Sequence, residues 1–304
     1  MIEKHSKASG IGLERLCTRD WMQSTETQYG VEFFEAWFQG KAYHKHRHDT
    51  YAICLTTTGI LAFDYRGNSE ISTPGQVVVL HPDEVHDGHA GTQEGFGYRQ
   101  LYVEPALIFE AIQTMGPHPC SLPFVRTPVA MNRKLSAAIS SAFEGTREPL
   151  AIDSLIVQMA EGLIEADPSC KRVPLPRHLD VAALKRARQY LDTQKTRVVH
   201  SSELEAVTGL TRYDLARQFR VMCGTSPYRY LLMRRLDFAR EQLAQSRSLV
   251  EVAIEAGFAD QAHFSRMFKA TFGITPALYR ALRVRSHATT EKRNGMYAAG
   301  AKRG

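Results

Sequence analysis

The chain has 304 residues, enough for two domains, and carries a formal net charge of +6. It contains no apolar run long enough to span a membrane, and its start, MIEKHSKASG, is too polar for a secretory signal, so we expect a cytoplasmic protein with no membrane partner. The five cysteines lack CxxC spacing, which argues against a disulfide framework or a cysteine zinc site and predicts reduced thiols.

Short β-branched and aromatic segments occupy residues 31–103. Gly, Pro or Asn turns separate them, and they read VEFFEAWF, YAICLTTTG, ILAFDYRG, QVVVLHP and FGYRQLYV. Strands of this length and spacing are typical of an antiparallel β-barrel or a double-sheet jelly roll. A small barrel can hold one small ligand among its inward-facing side chains.

Residues 131–166 turn helical, with apolar side chains at helical spacing in two segments. Residues 167–178, DPSCKRVPLPRH, are rich in proline and charge and predict a linker. Residues 285–304 have no periodicity and five Lys or Arg against one Glu, so we expect a disordered basic tail.

Residues 252–280 have the pattern of a helix-turn-helix. Asp260 can cap a helix that Gly273 ends, and Phe264 and Phe268 give that helix one apolar face at a spacing of four. The opposite face has Gln and Arg near its N-terminal end. Gln can pair with adenine and Arg with guanine, so such a helix suits the DNA major groove.

The same unit occurs a second time, 48 to 49 residues earlier, and a repeated unit at a fixed period is a strong architectural signal. Apolar residues at helical spacing predict one long helix, 228–244, between the two copies. Residues 179–284 carry 17 Lys and Arg against 10 Asp and Glu, whereas residues 1–178 carry 16 against 21, so the basic half is the half with the repeat. The matching pairs are Gly209 and Gly257, Arg217 and Arg266, Phe219 and Phe268, Arg220 and Lys269, Gly224 and Gly273, Pro227 and Pro276, and Tyr230 and Tyr279.

These two units, GLTRYDLARQFRVMCGTSPYRYLLMRRLDFAR and GFADQAHFSRMFKATFGITPALYR, resemble the DNA-binding domain of the AraC/XylS family of transcription regulators. The resemblance covers residues 180 to 284. It implies two helix-turn-helix units joined by one long helix, with recognition helices that enter the major groove about one turn (~34 Å) apart on double-stranded DNA.

By family position, the first recognition helix begins near Thr211, and Leu215 and Phe219 belong to the core. In the second unit, His263 is expected nearer the DNA backbone than the bases. Ala216 takes a position where many relatives have a polar side chain and could touch only a thymine methyl. The DNA-binding residues expected in the two units are Arg212, Tyr213, Ala216, Arg217, Gln261, Ala262, His263 and Arg266.

The N-terminal half resembles the cupin-type effector domain found in many members of this family, most clearly in PGQVVVLHPDEVH. Metal-binding cupins have an HxH pair, a Glu four residues on and a later His. His46, His48 and His86 match the histidines, but Ala52 stands where the Glu would be, so we predict no metal and no cofactor.

We expect instead that the barrel binds a small-molecule effector. Aromatic and imidazole side chains on its strands are the candidates for the pocket wall, although each could equally be ordinary core or rim. The six candidates are Trp37, His46, His48, Tyr51, His86 and Tyr98.

In this family, helices beside the barrel commonly mediate dimer contacts. The resemblance therefore implies a homodimer through Leu155, Met159 and Leu163, although a helical stripe of this kind more often packs inside its own domain.

The predicted fold is a two-domain α+β chain: a cupin-like β-barrel with helices (1–166), the linker, an all-α DNA-binding domain (179–284) and the tail. The predicted function is that of an effector-controlled transcriptional regulator, most plausibly an activator and not an enzyme, with RNA polymerase as a further candidate partner. Two alternatives stay open: a metal-dependent cupin enzyme fused to a DNA-binding domain, and a regulator that needs no ligand.

Overall fold

A computed structural model describes residues 20–25, 29–115, 121–145, 147–167, 169, 179–243, 245 and 247–282. The predicted linker therefore lies outside the described residues except for Asp167 and Ser169, and the predicted tail lies wholly outside them. Within the described part of the chain, no helix combines the length and the apolar character that crossing a membrane requires.

Two antiparallel sheets form the N-terminal domain, as the jelly-roll prediction requires. One has six strands in the order β1-β2-β9-β4-β7-β10, and the other has four in the order β3-β8-β5-β6. Every segment predicted as a strand forms one. The strands are β1 Trp21–Ser24, β2 Val31–Phe38, β3 Lys41–His46, β4 Tyr51–Gly59, β5 Leu61–Tyr65, β6 Asn68–Ser72, β7 Val77–Leu80, β8 His86–Ala90, β9 Phe96–Val103 and β10 Val129–Ala130.

Alternation along the strands divides the buried side chains between two cores. On β2, Phe34 and Phe38 face the interior between the two sheets, whereas Val31 and Phe33 face outward. Three helices cover that outer face: α1 Pro105–Thr114, α2 Arg133–Glu144 and α3 Pro149–Ala166.

The three α3 residues predicted to form a dimer contact are buried inside their own domain, so that part of the prediction is wrong. Leu155, Met159 and Leu163 are 6%, 0% and 0% exposed and belong to the core between α3 and the six-stranded sheet. The apolar stripe of α3 therefore packs within its own domain. The apolar residues that α3 exposes are Leu150 and Val157.

The C-terminal domain consists of helices arranged as two helix-turn-helix units around one long helix, as predicted. Its helices are α4 Val181–Thr193, α5 Ser201–Thr208, α6 Arg212–Cys223, α7 Pro227–Gln242, α8 Leu249–Glu255 and α9 Gln261–Phe272, followed by helical residues 276–282. The long helix α7 joins the pairs α5–α6 and α8–α9, and the predicted core residues Leu215 and Phe219 are buried.

The two domains pack against each other along α7 and the ends of α6 and α9. Ala106 and Phe109 of α1 join the core of the first unit. The His44 and Arg47 amides of β3 and the loop after it donate to the Gly273 and Ala270 carbonyls at 3.0 and 3.1 Å. Both recognition helices are thus held at their C-terminal ends and open at their N-terminal ends.

Candidate nucleic-acid interface and ligand cavities

The first recognition helix, α6, begins where its sequence dictates. The Thr211 hydroxyl accepts a hydrogen bond from the Asp214 amide at 3.2 Å, which satisfies one of the free amides of the first turn. The structure places the four predicted DNA contacts of this unit together on one exposed face: Arg212, Tyr213, Ala216 and Arg217.

Two of these side chains already have acidic partners. Arg217 donates to the Asp214 carboxylate at 2.7 Å, and Arg212 lies 3.5 Å from the Glu205 carboxylate. Exposed ion pairs of this kind contribute little to stability. A phosphate or a guanine can therefore replace the carboxylate as the partner of the guanidinium with little loss of free energy. Tyr213 is 81% exposed and extends the same face.

The second recognition helix, α9, is capped by Asp260, whose carboxylate accepts from the His263 amide at 2.6 Å. That backbone hydrogen bond keeps the pKa of Asp260 below its usual value, so the cap is ionised at neutral pH. Gln261, Ala262 and Arg266 are exposed, and His263 is half-buried with its ring 5.5 Å from the ring of Phe258.

Sequence reasoning gave Arg220 no DNA-contact role, although it occupies the last turn of α6 and is exposed. Its repeat partner Lys269 is half-buried on α9. The repeat contains a signal for this role, because the equivalent position is basic in both copies, Arg220 in the first and Lys269 in the second. Their distance from the helix N-termini suits them to phosphate contact rather than base contact.

A cavity in the barrel has about 450 Å³ of empty space when its open mouth is counted. Three predicted pocket residues, His46, His86 and Tyr98, lie on its wall. The Tyr98 hydroxyl donates to the Tyr43 hydroxyl at 2.9 Å, and burial lowers the pKa of His86 to about 4, so this imidazole is neutral at physiological pH. The cavity can take a small, largely apolar molecule with a few hydrogen-bonding groups.

Two predicted wall residues lie elsewhere. Trp37 alternates along β2 with Ala36 and Phe38, which face the interior, so its own ring lies on the outer face. Tyr51 points into the core under the helices, where its hydroxyl donates to the Pro123 carbonyl at 2.7 Å. Neither lines the barrel cavity, and both predictions of a wall position are wrong.

The sixth predicted residue, His48, lines a second cavity in the cleft between the two domains. This cleft contains about 720 Å³ of empty space, counted to its open mouth, and shares Tyr43 and Tyr102 with the barrel cavity. Sequence reasoning missed it because its walls come from β2, from the residues around Asp49, from α7 and from α9.

The three histidines of the cupin resemblance lie side by side. The ring centres of His46 and His86 are 4.2 Å apart, and those of His48 and His86 are 4.9 Å apart. Each Nδ1 lies within 3.0 Å of a backbone carbonyl, to which it can donate the ring proton. Across the described residues, no group of three or more His, Cys, Asp or Glu side chains has an arrangement that could hold a metal ion.

Comparison with known proteins gives a match in each domain. The family described as "AraC-like ligand binding domain" matches residues 28–160, and the family described as "Helix-turn-helix domain" matches residues 204–282. The second match begins within α5 and ends at Leu282, so it contains both recognition helices.

Similar proteins include two regulators. The chain is 25% identical over 226 residues to the uncharacterised HTH-type transcriptional regulator YbfI of Bacillus subtilis, covering 72% of this chain and 80% of YbfI. It is 32% identical over 132 residues to the transcriptional activator NphR of a Rhodococcus species, covering 43% of this chain and 37% of NphR.

Among solved structures, ToxT of Vibrio cholerae has the same two-domain fold. The apo structure of a ToxT variant gives a TM-score of 0.58 at 14% identity, covering 85% of this chain and 99% of ToxT. Another ToxT structure contains an unsaturated fatty acid. With a ligand-binding barrel, two helix-turn-helix units and these relatives, the chain belongs to the AraC family of transcriptional regulators.

Proposed function

We propose that this protein activates transcription by binding two successive major-groove segments of double-stranded DNA under the control of a small-molecule effector. The observation that carries the proposal is the arrangement of α6 and α9. Each presents a capped, exposed N-terminal face, and each has its C-terminal end against the ligand-binding domain. The expected readers are Arg212 and Arg217 in α6, and Gln261 and Arg266 in α9.

The contacts at those C-terminal ends give the effector a route to the DNA. A Cβ placed on Gly224, after α6, would lie 3.2 Å from Pro82, and one on Gly273, after α9, would lie 2.8 Å from Tyr43. Tyr43 also lines the barrel cavity and the cleft between the domains. A ligand that favours one arrangement of these contacts therefore changes how the two recognition helices meet DNA.

The domain boundaries that fit this function are the predicted ones: residues 1–166 for the effector, 179–284 for DNA, and a linker and a basic tail beside them. A regulator of this kind works in the cytoplasm, with the chromosome and RNA polymerase as partners. We also propose a homodimer, now through the exposed face of α3 that carries Leu150 and Val157. Neither the barrel nor its histidines need a catalytic role in this scheme.

Selection of bound duplexes from a random DNA pool tests the proposal. The full-length chain should enrich a site with two conserved segments about one helical turn apart. A promoter carrying that site should then be transcribed more strongly when the chain is expressed. The double variant Arg217→Ala/Arg266→Ala serves as the matched control and should enrich nothing. Failure of the unaltered chain to enrich any sequence would contradict the proposal.

A further inference from the structure

The cleft between the domains has an unbalanced set of charged side chains. Asp49 lies next to β4, Glu104 precedes α1, and Asp237 is on the long helix α7. With Glu32 they make four carboxylates in the wall, against two guanidinium groups, those of Arg234 and Arg240.

The ion pairs inside the cleft do not neutralise all of its carboxylates. Arg240 binds Glu32 through two hydrogen bonds of 2.9 and 2.8 Å, and Arg234 is shared among Asp49, Glu104 and Asp237 at 3.0 to 3.3 Å. Arg188 reaches Glu104 from outside the wall. Counting Arg188 with the wall, four carboxylates face three guanidinium groups. Arg229, outside the wall, also faces Asp49 and His48, but it is paired with Asp83 at 3.4 Å.

The excess of negative charge affects the protonation of Asp49. Its side chain is 5% exposed, and burial raises its pKa to about 6 even though Arg234 lies beside it. Asp237 and Glu104 add to the rise because they are also negative. A further positive charge in the cleft would stabilise this carboxylate.

His48 supplies a second and independent observation. Its Nδ1 lies 2.9 Å from the Thr50 carbonyl, which can only accept, so Nδ1 carries the proton. The residue is 5% exposed, and its Nε2 is a buried acceptor with no hydrogen-bond partner. Burial and the neighbouring His86 keep its pKa well below the usual value, so the ring stays neutral and the Nε2 lone pair stays available. A buried acceptor of this kind calls for an N–H or O–H donor.

The remaining walls are aromatic. Phe34 and Tyr102 lie on the barrel side, with ring centres 6.2 Å apart, and Phe272 and Tyr279 lie on the side of the DNA-binding domain. The faces of such rings attract organic cations, and the guanidinium of Arg240 already lies 5.1 Å from the ring centre of Phe272.

We propose that this cleft binds a small organic cation with at least one N–H, an ammonium ligand whose charge pairs with Asp49 and whose N–H donates to His48 Nε2. The inference rests on the proposed function, because it names the class of effector for that function. Asp49 also binds Arg234 of α7, the helix that joins the two DNA-binding units. Occupation of the cleft therefore acts on the contact that fixes this helix to the barrel.

Calorimetric titration of the full-length chain tests the ligand class with four probes of similar shape: n-butylammonium, n-butyltrimethylammonium, butyrate and n-butanol. A chelator in every solution keeps metal ions off the histidines. Butylammonium should bind most tightly, and loss of its N–H in the trimethyl analogue should weaken binding about tenfold, the scale of one hydrogen bond to a charged group. Butyrate and butanol should not bind saturably.

Variants locate the site. Asp49→Asn and Asp237→Asn should each weaken butylammonium binding at least about tenfold, while Asp153→Asn, which removes an exposed carboxylate of α3, should leave it unchanged. Circular dichroism and melting curves identify any variant that fails to fold. If one of the two carboxylate variants does not fold, the binding constant of the other tests the site. Preference for butyrate, equal binding of butanol, or no binding of any probe would overturn the inference. Sequence-specific DNA binding, measured on the same samples, shows separately whether the proposed function stands.

Discussion

In the proposed function, single side chains on α6 and α9 read the DNA bases. Arg217 and Arg266 occupy equivalent places in the two repeats, and both are exposed. They differ in their surroundings, because Arg217 has an Asp214 partner at 2.7 Å, whereas Gln261 and Ala262 stand before Arg266 on an open face. Because Ala216 beside Arg217 is apolar, we expect the first helix to make fewer polar contacts with bases than the second.

We expect Arg217→Ala and Arg266→Ala each to weaken binding to the selected site by about 1–3 kcal/mol, while binding to scrambled DNA changes little. The reason is that a bidentate Arg contact reads a base, whereas phosphate contacts serve every sequence equally. Fluorescence anisotropy on selected and scrambled duplexes measures both. Arg220→Ala, on the last turn of α6, removes the same charge and should weaken binding to the two duplexes equally. If the three variants behaved alike, base reading by Arg217 and Arg266 would be excluded.

The buried histidines make stability depend on pH. Burial lowers the pKa of His81 and of His86 to about 4, and those of His46 and His48 also lie well below the usual value. In the unfolded chain, each of these four imidazoles binds a proton below about pH 6.5. The unfolded chain therefore takes up more protons as the pH falls, and the folded state loses stability between pH 6.5 and pH 4.

We accordingly expect the free energy of unfolding to fall from pH 7 to pH 5. Asp49 and Asp192 act in the opposite direction, because burial raises the pKa of both carboxyls, that of Asp49 to about 6, and so favours the folded state in acid; they are two groups against four. Denaturant titrations across this range measure the slope. His86→Gln should make the slope shallower by up to about one proton, and a stability that rose steadily toward pH 5 would contradict the assignment.

Helices and strands were largely predictable because their signals are local. Asp260, Thr211, Gly224 and Gly273 stand at helix ends in the sequence as they do in the structure. The start of α5 was harder to see. The spacing of Ser202 and Glu205 also matches a capping box, but in the structure the box that starts α5 lies at His200 and Glu203, where the His200 amide donates to the Glu203 carboxylate at 2.7 Å. Its equivalent is Ser248 and Glu251, which restores the 48-residue offset.

The turns of the two units offer a matched test of backbone strain. Gly209 and Gly257 both have positive φ, of 75° and 78°. A Cβ at Gly209 meets nothing within 4 Å, whereas one at Gly257 would lie 2.7 Å from the Thr196 carbonyl oxygen. Gly209→Ala should cost about 1 kcal/mol from its left-handed backbone alone, and Gly257→Ala should cost of the order of 3 kcal/mol because the backbone must also shift. Equal losses in urea unfolding would show that the contact with Thr196 does not hold.

At the scale of the whole molecule, the least predictable feature was the packing of one domain on the other. Glu32 on β2 and Arg240 on α7 are 208 residues apart in the chain and form a nearly buried, two-bond ion pair. The arginines of α7 lie between the apolar residues of its helical stripe, and nothing in their spacing shows that they meet a second domain. For the same reason the sequence placed the pocket candidates in one barrel and missed the cleft.

Breaking this pair should loosen the molecule as a unit. Arg240→Met leaves the Glu32 carboxylate buried and uncompensated, so we expect a loss of about 3 kcal/mol in the free energy of unfolding. Glu32→Gln in the same chain should recover much of it, because the unpaired charge is then gone. Arg247→Met removes an exposed pair within the DNA-binding domain and should cost less than about 1 kcal/mol. Equal losses for Arg240→Met and Arg247→Met would mean that the pair contributes nothing to interdomain packing.

Chemical footprinting of the full-length chain on its selected duplex tests the central claim most directly, because it detects both recognition helices in one measurement. Two protected major-groove segments about one helical turn, ~34 Å, apart on one face of the duplex are expected from α6 and α9 together. Arg217→Ala should remove protection from one segment and Arg266→Ala from the other. Uniform protection with no boundary, or protection identical on a scrambled duplex, would contradict the account.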